Sequence, residues 1–224
     1  MAGGLLSGTA LGQGRDRGKP LVKVRIYVEG GPKGAHADGL RRFKNGFKQH
    51  LVRLDSRLST LDVSPCGSTE ETIRDYARAV REDGQDCKIA LLVDSDALVT
   101  AKSPAEHLQA KLNSAKISPD ARVNIFLMVQ CMEAWLITDV AAVEKCFGPI
   151  ANAIRFPQNQ DIEAVPIRDI LASLDAVAKR TPTGHYHKIR DGAKILAELK
   201  PEQVGPRSRH ARDLHAFLRR AAKA

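Results

Sequence analysis

The chain has 224 residues, with 35 Lys and Arg against 26 Asp and Glu, a formal net charge of +9, 43% hydrophobic and 27% charged residues. That size and balance suit a globular protein with one good core, and no stretch approaches the roughly 18 apolar residues of a membrane span. Four scattered cysteines, Cys66, Cys87, Cys131 and Cys146, form no CxxC pair and so argue against thiolate zinc; without an export signal, disulfides are unattractive too and a reduced, cytoplasmic protein is expected.

In chain order, residues 1–20 are rich in Gly but lack the basic and apolar blocks of a signal peptide, and read as a mobile leader. Val22 to Val28 is a strand with a Gly-Gly stop. His36 to Leu54 follows as a helix, its Leu40, Phe43, Phe47 and Leu51 falling at three- and four-residue steps. Leu61 to Val63 is a short strand. Ser68-Thr69-Glu70-Glu71 is a capping box that opens a helix to about Glu82, with Gly84 as its exit. Lys88 to Val93 is apolar almost throughout, as central parallel strands are. Ser103-Pro104 starts another helix. Val123 to Val129 is a fourth strand leading into a helical segment, Gln130 to Ile137. This alternation predicts a three-layer α/β domain over residues 21–138. Beyond it the pattern is helical only, with candidates at 139–147, 166–179, 188–199 and 207–222, expected to pack on one side of the α/β half.

Four acidic residues stand at three places where apolar runs stop or have just stopped. Glu29 precedes Gly30-Gly31 at the end of the first strand, Asp94-Ser95-Asp96 ends the third, and Glu133 opens the helix after the fourth. In a parallel sheet the carboxyl ends of strands are where ligands bind, and gathered carboxylates suit a hard divalent cation. Each feature also has a plainer explanation: a turn acid for Glu29, a helix cap for the aspartates, a salt-bridged helix residue for Glu133. The Gly30 to Gly34 run lacks the endings of both the Walker A and the dinucleotide-binding loops. Trp135 reads as core, and His210 and His215 as surface residues.

The positive charge is uneven. From Lys179 onward twelve Lys and Arg face four Asp and Glu, and Arg41, Arg42, Lys44 and Lys48 form a second cluster. Basic surfaces attract nucleic acid and polyphosphates, although each cluster could equally be a solvated helix face. In the loop Thr181 to Lys188, His185 and His187 are two metal-type ligands without partners, whereas Lys188 is suited to contact a phosphate and neutralise transition-state charge.

With these residues in hand the chain resembles the TOPRIM-like proteins, and within them the DUF4276 family. The segments that carry the likeness are Tyr27-Val28-Glu29-Gly30-Gly31, Leu91 to Asp96, and Leu127 to Leu136 with its Met-Glu-Ala-Trp core; the Gly184 to Lys188 loop and Ser208-Arg209-His210-Ala211 look similar as well. The resemblance implies a TOPRIM-like parallel sheet flanked by helices, with a helical C-terminal extension. It implies a Mg²⁺ or Mn²⁺ cofactor held by Asp94 and Asp96 as the DxD ligands, with Glu29 as metal ligand and acid/base, and Glu133 as an acid of the family pattern. Related proteins are often encoded beside ABC-type or OLD-type ATPases in anti-phage systems, so an ATPase partner is expected. The loop after Glu29 is longer than a compact TOPRIM arrangement, which puts a ligand role for Asp38 in doubt, and no Tyr is placed as a topoisomerase nucleophile.

The function expected is therefore a metal-dependent nuclease. Glu29 and Lys188 are its catalytic candidates, Glu29, Asp94, Asp96 and Glu133 its metal ligands, and Arg41, Arg42, Lys44, Lys48, Lys188, Arg207 and Arg209 its nucleic-acid contacts. The alternative is a non-catalytic nucleic-acid-binding or adaptor subunit of an ATPase complex. A third is an enzyme that uses the same site on small phosphorylated molecules.

Overall fold

The computed structural model describes residues 23–31, 37–82, 87–117 and 124–223. The expected leader, the Gly84 helix exit and the start of the predicted fourth strand lie outside the described residues. Four strands form one parallel sheet: β1 (Lys23–Val28), β2 (Asp62–Pro65), β3 (Cys87–Asp94) and β4 (Ile125–Met128), in spatial order β2-β1-β3-β4. The chain passes from β1 outward to β2, then returns past β1 to β3 and on to β4. The direction of progression therefore reverses between β1 and β3, and the carboxyl ends of those two strands flank the crevice of a topological switch point.

Strand alternation sorts the core into two layers. Val24, Ile26 and Val28 of β1, Ala90 and Leu92 of β3, and Phe126 and Met128 of β4 share one cluster with Phe43, Phe47 and Leu51 of helix α1 (Ala37–Val52). On the opposite face Tyr27, Leu91, Val93 and Leu127 pack with Ile73, Tyr76 and Ala77 of α2 (Thr69–Glu82). Two short helices, α3 (Pro104–His107) and α4 (Gln109–Ser114), complete this second face, where Leu108 and Leu112 are buried. The capping box forms as expected: Glu71 N–H donates to Ser68 Oγ and Ser68 N–H to Glu71 Oε2.

After β4 come α5 (Glu133–Leu136), α6 (Val140–Phe147), α7 (Ile167–Ala178), α8 (Ala193–Glu198), α9 (Pro201–Val204) and α10 (Arg209–Lys223). A π-helical turn, Lys188–Gly192, runs directly into α8. Helices α6, α7, α8 and α10 contribute to the same core cluster as α1. The segment expected to be helical from Gln130 is helical only from Glu133, because Gln130 takes a left-handed backbone at φ 61°. His215 is 3% exposed and belongs to the interior, contrary to expectation, and His210 is half-buried, its Nδ1–H donated to Glu163 Oε2 at 2.9 Å. Trp135 is core, at 1% exposure.

Helix α1 meets α8 closely at Gly46, where a Cβ would stand 2.6 Å from the Ala193 carbonyl oxygen and 3.2 Å from Ala193 Cα. Both are backbone atoms, so they cannot swing aside. Gly46→Ala is expected to cost about 1–3 kcal/mol by overpacking, read as a lower urea midpoint. An unchanged midpoint would mean that the two helices are free to separate.

Candidate functional site

Glu29 follows β1 directly, and its backbone N–H donates to Leu92 O, continuing the β1–β3 ladder. The next two residues turn away with φ 133° at Gly30 and 81° at Gly31. A side chain at Gly30 would meet the Phe43 ring at 2.5 Å, and one at Gly31 would meet Leu40. The two glycines therefore let the chain bend tightly over α1 while Glu29 stays at the strand end. The Glu29 carboxylate accepts from Thr69 Oγ1 at 2.9 Å and from the Asp94 backbone N–H at 3.1 Å. It is thereby tied both to the start of α2 and to the end of β3.

Asp94 is 5% exposed. Its Oδ2 accepts from Lys188 Nζ at 2.8 Å, and its Oδ1 is buried with no hydrogen-bond partner. Glu133, 2% exposed, accepts from the Tyr186 hydroxyl at 3.2 Å and lies 3.7 Å from Lys188 Nζ. Lys188 thus places one ammonium between two buried carboxylates. It is carried there by the π-helical turn, a backbone form common at functional sites. The turn starts after His187, whose Nδ1 accepts from Arg190 N–H, and Asp191 accepts from His187 N–H. Gly192 leaves room for the Tyr186 hydroxyl, which a Cβ would approach to 2.8 Å.

Electrostatics follow from this packing. Burial pushes the Asp94 carboxyl up to about 7, against the pull of the Lys188 ammonium, with the Glu29 and Glu133 carboxylates adding to the rise. Burial also raises Glu29, opposed by its Thr69 and Asp94 hydrogen bonds. Burial disfavours the Lys188 ammonium, but its carboxylate neighbours outweigh that and leave it firmly charged. Tyr186 is held well above the usual phenol range by burial and by Glu133, so its hydroxyl acts as a donor.

Asp96 behaves differently. It adopts φ 60°, its side chain is 66% exposed, and it reaches Lys111 Nζ at 3.8 Å. Asp94 is therefore buried while Asp96 points to the solvent-exposed rim. Between them Ser95 fixes the loop: its Oγ accepts from Gln130 N–H at 2.7 Å and donates to Ala97 O at 2.6 Å. Asp96 and Gln130 are two of the three non-glycine residues with positive φ among those described, and both flank this hydroxyl. Backbone held in so sparsely populated a region marks a loop that its surroundings over-determine.

The predicted basic residues divide. Arg41 pairs with Asp38 and Lys44 with Asp62, while Arg42 is exposed and Lys48 half-buried on the same helix. Arg207 donates to Asn159 O and Pro157 O, so it clamps a loop rather than facing solvent freely; Arg209 is exposed. Ser208 and His210 bind the Glu163 carboxylate, and Gln130 Nε2 donates to the Glu163 and Val165 carbonyls. The Ser208 to Ala211 segment thus braces the site loop through Gln130. Thr69, Ser95, Gln130 and Tyr186 went unassigned in the sequence. Thr69 sits within the capping box, and Tyr186 lies in the loop already singled out for Lys188, but neither spacing gives the partner.

A family model described as a domain of unknown function, DUF4276, matches residues 36–219. The chain belongs to the DUF4276 family. The matched span includes Asp94, Asp96, Glu133 and Lys188, whereas Glu29 lies just before it. Among solved structures, the C-terminal region of the Burkholderia pseudomallei OLD protein is similar, at 15% identity and a TM-score of 0.48, over 90% of this chain and 98% of that one. No curated protein matches.

The donor set can be tested against a cation. Its chemistry fits: every candidate ligand is a carboxylate oxygen, as Mg²⁺ prefers, and Asp94 Oδ1 is buried without a partner. Among the described residues, however, no three His, Cys, Asp or Glu side chains stand close enough together to hold an ion as they are. Lys188 supplies the positive charge among them. Among the described residues no helix is long and apolar enough to cross a membrane.

Proposed function

We propose that this protein is a magnesium-dependent nuclease that hydrolyses phosphodiester bonds of DNA or RNA. The observation that carries the reading is Asp94, buried at the switch point with one carboxylate oxygen unpartnered and Glu29 hydrogen-bonded to its backbone. Asp94, with Glu29 and Glu133 beside it, would hold the cation, and Asp96 would approach from the rim. The chemistry such a cation would supply is polarisation of the scissile phosphate and a lowered pKa for bound water. Lys188, 38% exposed on its side chain, reaches both the buried acids and the surface. It is suited to meet a phosphate oxygen and to neutralise charge as it develops. Glu29, with its raised affinity for protons, is the group to relay a proton.

The test is direct. Purified protein is offered single- and double-stranded DNA and RNA with Mg²⁺ or Mn²⁺, alone and with any ATPase encoded beside it. Cutting is expected, and Asp94→Asn is expected to lower it by about 100-fold or more, the scale on which lost charge stabilisation is felt. Full activity of the Asn variant would remove Asp94 from the chemistry, and inertness under all conditions would remove the nuclease reading.

One observation favours the alternative, a non-catalytic nucleic-acid-binding or ATPase-associated subunit. Lys188 already neutralises the buried acids, as a site that never takes a metal would need. Calorimetry separates the two: a nuclease binds Mn²⁺ in a way that Asp94→Asn abolishes, and an adaptor shows no such site.

A further inference from the structure

A groove of about 440 Å³ runs between α2 and α4, on the sheet face opposite α1. Its floor is apolar, formed by Ile73 and Ala77 of α2 and Ala110 of α4. Among the described residues its walls carry Arg74, Arg81 and Lys111 against one acid, Glu70. The groove is joined to the carboxylate site at one end. Lys111 Nζ lies 3.2 Å from Glu70 and 3.8 Å from Asp96, and the residue before Glu70 is Thr69, which holds Glu29. From Glu70 to Arg81 the helix advances roughly 16 Å at 1.5 Å per residue. Arg74 and Arg81 are exposed, and neither has an ion pair among the described residues, unlike Arg78, which is bound to Asp75.

We infer that this groove is the binding track for a single strand of nucleic acid, delivering it to the carboxylates past Lys111 and Asp96. The charge complementarity is to phosphate: two arginines spaced along the helix with no ion pair among the described residues, plus Lys111 at the mouth, shared between Glu70 and Asp96. The apolar floor favours a strand whose sugars and base faces are uncovered, since a duplex hides its bases and offers mainly backbone. Among the described residues no aromatic ring lines the groove, so base stacking is not expected to add sequence preference. The basic cluster that the sequence pointed to, on α1, lies on the other face with two of its four members in ion pairs. The inference relies on the nuclease reading only for where the strand leads; binding itself is independent of it.

The experiment measures binding of a fluorescent single-stranded oligonucleotide by anisotropy in EDTA across a salt series, with full-length protein. Each phosphate contact contributes about 0.7 to the slope of log K against log salt for single strands. Arg74→Ala/Arg81→Ala is therefore expected to flatten the slope by about 1.4, with an unchanged urea midpoint, while Arg41→Ala/Arg42→Ala flattens it less. A slope unchanged in the α2 variant, or flattened equally by the α1 variant, overturns the track. A duplex bound as tightly as the single strand overturns the strand assignment, and a mononucleotide that displaces the oligonucleotide at equal concentration overturns the polymer assignment. Cutting by the α2 variant at the wild-type rate counts against the groove while leaving the nuclease reading intact. Binding with the expected slopes but no cutting does the reverse.

Discussion

Replacing Lys188 with Met is expected to destabilise the fold by about 2–4 kcal/mol in the absence of divalent ions at a pH above about 8, where Asp94, pushed up to about 7, is ionised in the wild type. The reason is the pair of acids left behind. Asp94 and Glu133 are nearly inaccessible to water, and Lys188 contacts both. Removing one partner of a buried ion pair costs about 3–5 kcal/mol because the remaining charge has no compensation. The lower range applies here because Lys188 is 38% exposed and part of its charge is already screened. Two controls separate charge from packing. Lys188→Arg keeps the charge and is expected to lose less, and Asp94→Asn added to Lys188→Met is expected to regain stability, because an amide needs no counter-charge. Millimolar Mg²⁺ or Mn²⁺ is expected to raise the urea midpoint of Lys188→Met more than that of the wild type, whose ammonium competes for the same oxygens. Equal stability of Lys188→Met and wild type in EDTA would show that the acids do not depend on this lysine.

That competition bears on how the site works. A lysine that satisfies Asp94 and Glu133 keeps two like charges folded together while no other cation is near. On the proposed function, its partly exposed side chain would turn outward to a phosphate. The hydroxyls of Thr69 and Tyr186 hold Glu29 and Glu133 from the side, so each acid keeps a hydrogen bond that does not depend on the lysine.

The sheet was legible in the sequence because each strand announces itself locally. Val24-Arg25-Ile26-Tyr27-Val28 ends at glycines, and Ile89 to Val93 is apolar on both faces, as a strand between α1 and α2 must be. The places of Glu29, Asp94 and Glu133 were legible for the same reason, since each follows directly from a strand end or the turn after it. Lys188 could be picked out as a basic residue beside a loop, but its place between Asp94 and Glu133 depends on contacts across 94 and 55 positions of chain, which no periodicity encodes. Asp96 went the other way. Two-residue spacing puts side chains on one side only while the backbone stays extended, and φ 60° at Asp96 breaks that condition. His215 was misread because α10 is amphipathic and strongly charged, yet its buried face takes Leu214, His215 and Leu218 together.

Acidification below pH 6.5 is expected to unfold this protein through two histidines that the site does not use. His50 of α1 and His215 of α10 are 0% and 3% exposed, with ring centroids 5.8 Å apart, and Trp135 lies 6.0 Å from His50. His50 Nδ1–H donates to Leu199 O at 3.0 Å, while Nε2 of both histidines and Nε1 of Trp135 are buried without a partner. Burial pushes His50 down to about 4, with Arg53 adding to the fall and the Leu199 carbonyl, Glu202 and Asp139 opposing it. Burial, His50 and Arg219 push His215 down to about 3. A depressed histidine contributes stability that is present above its unfolded value of about 6.5 and is lost as pH falls towards the folded value. Each histidine then takes a proton only on unfolding, so stability falls by about 1.4 kcal/mol per pH unit for each. Unfolding free energies from urea titrations between about pH 6.5 and 4 are expected to fall less steeply in His50→Gln/His215→Leu than in the wild type, by up to about 2.7 kcal/mol per pH unit. The baseline cost of the substitutions does not enter, because only the slopes are compared. Parallel slopes would mean that the rings reach solvent and charge in the folded state. The consequence reaches the site, since Trp135 stands two residues beyond Glu133 on α5: loosening the histidine pair loosens the helix that aims Glu133 at Lys188.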